Sequence, residues 1–526
     1  MNIHRAESFT GEPSNIAAAV DLFLTAGGDA RILPDLATRR NRYGTKVAPS
    51  PGEIFLSSST ASTITPRAHL AVEKAWAALI QDSGGDYLGV DAWFESLRTR
   101  LLGLFGIAGC AAILTGSGTE AELIALAIAR CVLGGPLTNI VLAPAETGSG
   151  VWRAAAGTHF LDSTPFGEGR SAGNALSGWA GADIEAADVE IRDARGVLRS
   201  AADIDVEARV RAAAAIEAGR DVLLHLLQTS KTGRSGLTVA TASQILAEAP
   251  DRVVIVADCC QLRCSRDYVR QLLQRGFMVA MTGSKFFAGP PFSGALILPP
   301  QILARVGQWA LPAGLADYSS RQDWPGDLQA KLRLRWANEA NLGLGLRWVA
   351  ALDEMERFFA TPGDLRSSVL SYFEHEVRQR ARSVENLSEI SDDPHSLAEE
   401  PRSILPFVMM HTDGAPFSAA ETAAIHARLR TPCGISSADD PAFAQIFHLG
   451  QPVAIGPKTA LRVCASAPII SEIAERVGQG ESLEDAFEPW GRNLDALFKK
   501  WRWLIGEACA QRVDAPSTAC GLGQEI

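Results

Sequence analysis

Between residues 111 and 298 the chain repeatedly places a short apolar run between stretches of helical periodicity, and this alternation constrains the fold more than any other feature. The runs lie at 111–114, 139–144, 221–227, 252–258, 277–283 and 294–299. Residues 253–257 are five consecutive apolar residues, mostly β-branched, a pattern that suits a strand buried on both faces. Strands separated by helices require crossover connections, so the expected architecture is α/β, with a mainly parallel sheet covered by helices. Helical periodicity at 67–81 and 90–105 precedes the runs, and the Gly/Ala/Asp-rich stretch 163–205 reads as a surface excursion. After about residue 330 the pattern changes to a long helix over 341–360 and strands near 404–411, 443–448 and 460–465. The expected organisation is an N-terminal extension (1–66), a large α/β domain (67–330) and a smaller C-terminal α+β domain (331–526).

Composition narrows the function classes. The chain has 526 residues, 47% of them hydrophobic, which excludes disorder as a whole-chain description. A net charge of −11 argues against nucleic acid or an anionic membrane surface as partner. No apolar run is long enough for a transmembrane helix, and the first fifteen residues lack a basic-then-apolar leader pattern. Nine cysteines without regular spacing point to a reduced, cytoplasmic protein. Cys259, Cys260 and Cys264 come closest to a cluster but have no close histidine, so no metal site is expected. Of the 49 basic residues only eight are lysine, which leaves few candidates for a catalytic amine.

Three segments carry candidate chemistry. In 113–130 a strand ends, small residues turn the chain, and a helix starts near Ser117, Gly118 and Thr119. The free amides of a helix start, with these hydroxyls, form an anion cradle. The segment is neither a Walker loop nor GxGxxG, because Glu120 and Ala121 occupy the last spacing. In 252–263 Asp258 sits at the carboxyl end of an apolar strand, where open α/β sheets bind ligands, and Gln261 follows. In 278–298 another strand runs into Thr282, Gly283, Ser284 and Lys285. A desolvated lysine at such a position has a lowered pKa and can act as a nucleophilic amine. Asp258 and Lys285 lie 27 residues apart, one helix of separation, so both can face one cleft. A phosphate cradle, an acid for a ring nitrogen and an imine-forming lysine are together the parts required to use pyridoxal phosphate.

On these motifs the sequence resembles the fold-type I pyridoxal-phosphate enzymes, and within them the class V aminotransferase/cysteine desulfurase group. The resemblance implies that Ser117, Gly118 and Thr119 hold the phosphate and that Asp258 meets the pyridine nitrogen. It implies Gln261 near the ring hydroxyl, Thr282 and Ser284 on the phosphate, and Lys285 as the imine-forming residue. The segment 228–236 resembles the family's Ser/Thr-rich loop, implying Thr229 or Ser230 in the pocket. The segment 460–468 resembles the C-terminal strand whose arginine, here Arg462, clamps the substrate carboxylate.

The chain also departs from that pattern. The loop expected to stack a ring on the cofactor, 143–157, contains Trp152 as its only aromatic residue. A histidine expected before the lysine is Ser284. Cys433 is the one candidate for a desulfurase cysteine. The hydroxyl-rich run 57–62 has the composition to reach a cleft. The expected function is a pyridoxal-phosphate-dependent enzyme acting on a small amino-acid substrate, first an aminotransferase, with a lyase (β/γ-eliminating, desulfurase-like or decarboxylating) as alternative. A dinucleotide-binding oxidoreductase is the distant alternative. The resemblance also implies a homodimer.

Overall fold

A computed structural model describes residues 13–83, 87–179, 183–305, 307, 310–390, 401–433 and 440–514. Twelve strands are found among them: β1 (Glu53–Leu56), β2 (Ala111–Thr115), β3 (Leu137–Leu142), β4 (Ile184–Val189), β5 (Asp221–Leu227), β6 (Val253–Cys259), β7 (Met278–Thr282), β8 (Gly294–Leu298), β9 (Leu387–Glu389), β10 (Ile404–Met409), β11 (Ile446–Ile455) and β12 (Lys458–Cys464).

Seven of these form one sheet in the order β2-β8-β7-β6-β5-β3-β4. Strands β4, β3, β5, β6 and β7 pair parallel, and β8 runs antiparallel between β7 and β2. Successive residues of the central strands enter two different apolar clusters. Val253, Ile255 and Ala257 pack with Ile204, Ile245 and Leu272 of the helices Ala201–Glu217, Val239–Glu248 and Arg266–Gln274. Val254 and Val256 pack with Leu123 and Ile128 of the helix Gly118–Leu133. The two-residue period of a strand therefore buries both faces, which is why these segments read as unbroken apolar runs. The mainly parallel α/β architecture expected from the sequence is the one observed.

Three strands, β1, β4 and β9, were not among the strands expected from the sequence. β4 lies inside the stretch read as a surface excursion. It is the edge strand of the large sheet, and only Val189 of its six residues is fully buried. β1 falls within the extension, yet it pairs parallel with β11 and completes a second sheet, β1-β11-β12-β10-β9. An ion-pair cluster fixes it there: Glu53 accepts from His448 Nε2 on β11 (2.7 Å), Arg40 (2.7 Å) and Lys46 (3.0 Å).

The helix Leu342–Ala360 packs against the helices Pro13–Leu24, Pro66–Ser83, Tyr87–Phe105 and Ala467–Gly478. Its apolar residues are buried on all sides, and Trp348 donates to the Gly294 carbonyl of β8 (2.9 Å). Lys500, fully buried, donates to the Leu429, Thr431 and Gln445 carbonyls (3.3, 2.7 and 2.7 Å), satisfying acceptors at and beyond the end of the helix Ala419–Leu429. No helix among the described residues is long and apolar enough to cross a membrane.

Candidate active site

At the carboxyl ends of β5, β6 and β7 lies a cavity of about 180 Å³, lined in part by Ser117, Gly118, Thr119, Asp258, Gln261, Thr282, Ser284, Lys285 and Arg462. Nine of the ten candidate residues thus converge on one space from four separate segments. Ser230 is the exception and does not line it. Its hydroxyl donates to Glu146 Oε2 (2.8 Å) and accepts the Thr232 amide (3.1 Å), so it is spent inside a buried turn. Its neighbour Thr229 lines the cavity instead.

The helix Gly118–Leu133 starts against the cavity with Ser117 as its N-cap, whose hydroxyl accepts the Glu120 amide (3.3 Å). The start is held by close backbone approach. A Cβ on Gly118 would lie 2.5 Å from Cys260 Sγ, and one on Gly294 would lie 2.8 Å from the Ser117 carbonyl carbon. The amides of Gly118 and Thr119 belong to the first helical turn and have no intrahelical acceptor, and the dipole's positive end there suits an anion. Thr282 donates to the Cys260 carbonyl (2.7 Å), leaving its lone pairs toward the same space.

Asp258 ends the parallel strand β6, and its Oδ1 accepts the Cys260 amide (2.9 Å). Its carboxylate lines the cavity at the strand end, where a ring N–H can reach it. Behind it Glu122 faces the cavity and lies 3.3 Å from His225 Nδ1. Burial, with Asp258 beside it, pushes the Glu122 carboxyl well above the usual range, and burial lowers His225 to about 3. Both shifts disfavour charge on the pair beside Asp258. The Lys285 amine has no partner among the described residues. A carboxyl group at a strand end, an unpartnered amine and an anion cradle, all lining one cavity, fit the donor set that pyridoxal phosphate requires.

Arg462, on β12, is 1% exposed and faces no carboxylate within ion-pair distance among the described residues. It donates to the Lys231 carbonyl (3.2 Å), Thr60 Oγ1 (3.1 Å) and the Gln451 carbonyl, while its Nε–H has no partner. Burial lowers its pKa to about 10. A buried guanidinium without a counterion is a ready carboxylate receptor.

Several residues of the site had no individual signal in the sequence. Ser59, Thr60 and Ala61 line the cavity. The hydroxyl run is consumed in fastening this segment over it: Ser62 donates to the Lys285 carbonyl (2.9 Å), Gln261 Nε2 to the Ser59 carbonyl (2.9 Å) and Cys464 Sγ to Ser59 Oγ (3.1 Å). Arg31, Tyr43 and Lys231 line it as well. Arg31 is paired with Asp29 (2.6 Å) and lies over the Phe292 ring (5.2 Å). Ala143, Leu262, Ala288 and Phe292, in turns next to the strand ends, have φ of 47°, 47°, 53° and 73°, left-handed conformations that concentrate where side chains are held for function.

Trp152 is 41% exposed and does not line the cavity; its loop contributes Glu146, Thr147, Gly148, Ser149 and Val151. Among the described residues the aromatic side chains on the cavity wall are Tyr43 and Phe292. Cys433 is buried away from the cavity, its amide bonded to the Phe443 carbonyl (2.9 Å). The cysteine on the wall is Cys260, whose thiol burial pushes well above its ordinary pKa.

No family model matches the sequence, and no curated protein is similar to it. Solved structures do match. A NifS-like protein from Rickettsia africae superposes with a TM-score of 0.51 at 10% identity, over 86% of this chain and 99% of that one. A second NifS-like protein gives 0.52 at 9% identity, over 86% and 100%. Oryza sativa TDC, solved with PLP, gives 0.50 at 10% identity, over 87% and 84%. With its strand order, its reversed β8 and these structural neighbours, the chain has the fold of the fold-type I pyridoxal-phosphate enzymes.

Proposed function

We propose that this protein is a pyridoxal-phosphate-dependent enzyme acting on an amino acid, and that it is an aminotransferase. The observation that carries this reading is the meeting of Asp258, Lys285 and the Ser117–Thr119 helix start in one cavity. Pyridoxal phosphate bound there supplies an aldehyde and an electron-withdrawing ring that stabilises negative charge at the substrate Cα.

The chain's own residues do the rest. The Ser117, Thr119 and Ser284 hydroxyls, with the amides of Gly118 and Thr119, bind the phosphate. Asp258 would meet the ring nitrogen and favour its protonated form, and the Glu122–His225 pair beside it, in which burial disfavours charge, adds no competing charge. Lys285 would hold the group through its amine, and the same amine is placed to take and return the proton at the substrate Cα. Arg462 orients the substrate through its carboxylate, and the Ser59–Ala61 segment covers the site against water. Transamination is favoured over a desulfurase-type reaction because the cavity's cysteine is Cys260, a thiol that burial keeps protonated. A cytoplasmic homodimer belongs to the same reading, and sedimentation equilibrium tests the dimer.

The decisive experiment is to load the protein with pyridoxal phosphate, reduce it with borohydride and map the label by mass spectrometry. The label is expected on Lys285 and absent from Lys285→Ala. No label, or a label confined to other lysines, refutes the assignment. With single amino acids, stoichiometric release of the oxo acid and conversion to the pyridoxamine form identify an aminotransferase. Release of sulfide, carbon dioxide, or ammonia with pyruvate identifies a lyase instead.

A further inference from the structure

The cavity contains a second lysine that the chemistry above does not use. Lys231 is held by its backbone: its amide donates to the Glu146 carbonyl (2.9 Å), and its carbonyl accepts from Arg462 Nη1 (3.2 Å). Its side chain lines the cavity, yet its ammonium has neither a hydrogen bond nor an ion pair among the described residues. Glu146, an acid on the cavity wall whose charge Lys231 feels, is already satisfied. Its Oε1 meets Arg192 Nε at 2.5 Å, and its Oε2 accepts from Ser230 and Thr232. Asp258 is assigned to the ring nitrogen, and burial disfavours charge on Glu122. Burial and the nearby charges of Arg462 and Lys285 lower the Lys231 pKa to about 8, against a smaller opposing effect of Glu146.

A substrate α-carboxylate neutralises one of the two neighbouring cations, Arg462. The other still lacks a counterion, in a space where an unpaired charge is unfavourable. We propose that Lys231 recognises a second, distal carboxylate, so that the amino acid used at this site is a dicarboxylic one of the aspartate–glutamate kind. This rests on the reading of the cavity as an amino-acid site, with Arg462 at the α-carboxylate. A buried charge-assisted pair of this type discriminates by about ten- to a hundredfold.

The test has two arms. In the first, isothermal titration of the protein without added cofactor compares succinate and glutarate with butyrate, for the wild type, Lys231→Met and Lys231→Arg. The dicarboxylates are expected to bind at least tenfold more tightly than butyrate to the wild type. That ratio should collapse in Lys231→Met and persist in Lys231→Arg. In the second arm, the loaded enzyme is given aspartate, glutamate, alanine and norvaline, and the ratio of kcat/KM for acidic over neutral substrates is expected to follow the same pattern.

A wild type that binds and turns over both classes alike overturns the inference, whatever the variants do. Equal weakening of both classes in Lys231→Met also overturns it, since that marks a merely structural lysine. The two readings fail separately. Selective dicarboxylate binding without cofactor labelling at Lys285 sinks the enzyme reading alone, and labelling at Lys285 without selectivity sinks the role of Lys231 alone.

Discussion

The turn that presents Lys285 rests on a contact with no room for a single additional carbon, and Gly283→Ala tests its importance. A Cβ at Gly283 would lie 2.4 Å from Ala351 Cβ on the helix Leu342–Ala360, with Ser293 Oγ at 3.4 Å and Met355 Cε at 3.6 Å. Carbon atoms in contact settle at about 3.5–4.0 Å, so the shortfall exceeds 1 Å. Neither methyl has a rotamer to change, so either the turn or the helix backbone must move. Overpacking of this kind costs about 1–3 kcal/mol. Gly289, four residues beyond Lys285, makes the same approach from the other side, its Cβ position 2.8 Å from Ala351 Cβ. Ala351→Gly should remove the obstacle at a cost of about 1 kcal/mol for a glycine inside a helix. The expected pattern in urea unfolding is therefore two destabilised single variants and a double variant no worse than Ala351→Gly alone, a coupling of about 1–3 kcal/mol. Cofactor labelling at Lys285 should fall in Gly283→Ala and return in the double variant. Additive single effects, or labelling that stays low in the double variant, would show that steric contact with Ala351 does not set the position of Lys285.

Three further outcomes are expected. Arg347 is fully buried and donates to the carbonyls of Phe292 (2.7 Å), Ala26 (2.7 Å), Leu24 (3.3 Å) and Gly27 (3.3 Å); Arg347→Met leaves these unpaired and should lower stability by about 2–4 kcal/mol in urea unfolding. Burial opposes ionisation of Glu53, but hydrogen bonds from His448, Arg40 and Lys46 overcome it and hold the carboxyl well below its ordinary 4.5. The stability it contributes is therefore complete above about pH 4.5 and lost as the pH falls below it; Glu53→Gln should flatten that part of the stability–pH profile. Thr60→Val removes an acceptor from Arg462 and from the Gln451 amide (3.1 Å each), so KM for the amino acid should rise several-fold, measured by initial rates.

The legible part of the molecule was the part governed by local rules. The central strands β5, β6 and β7 announce themselves because both of their faces are buried, and a strand end in a parallel sheet has a known relation to ligands. Asp258 and Lys285 follow from that relation and Ser117, Gly118 and Thr119 from the chemistry of a helix start, whereas Gln261, Thr282, Ser284 and Arg462 were singled out by the family resemblance. Edge strands β1 and β4 were not legible, because their polar residues face solvent or ion pairs rather than the core. The 228–236 loop was legible only in outline: that it borders the cavity could be read, but not that Ser230 turns inward to Glu146 while Thr229 and Lys231 face the opening.

The sequence by itself determined the central strands of the large sheet, the turn chemistry at their ends and the shortage of lysines that made Lys285 conspicuous. Periodicity and strand-end position are properties of contiguous residues, and local sterics and burial write them into the chain. Tertiary structure alone decided which distant segments complete the cavity. The hydroxyl run at 57–62 is fastened over Lys285 and Gln261, Arg462 arrives from a different sheet, and Lys231 is left as a cation without a counterion. Those outcomes depend on which charges and hydroxyls satisfy one another across hundreds of residues, a pairing set by packing in space and not by spacing along the chain.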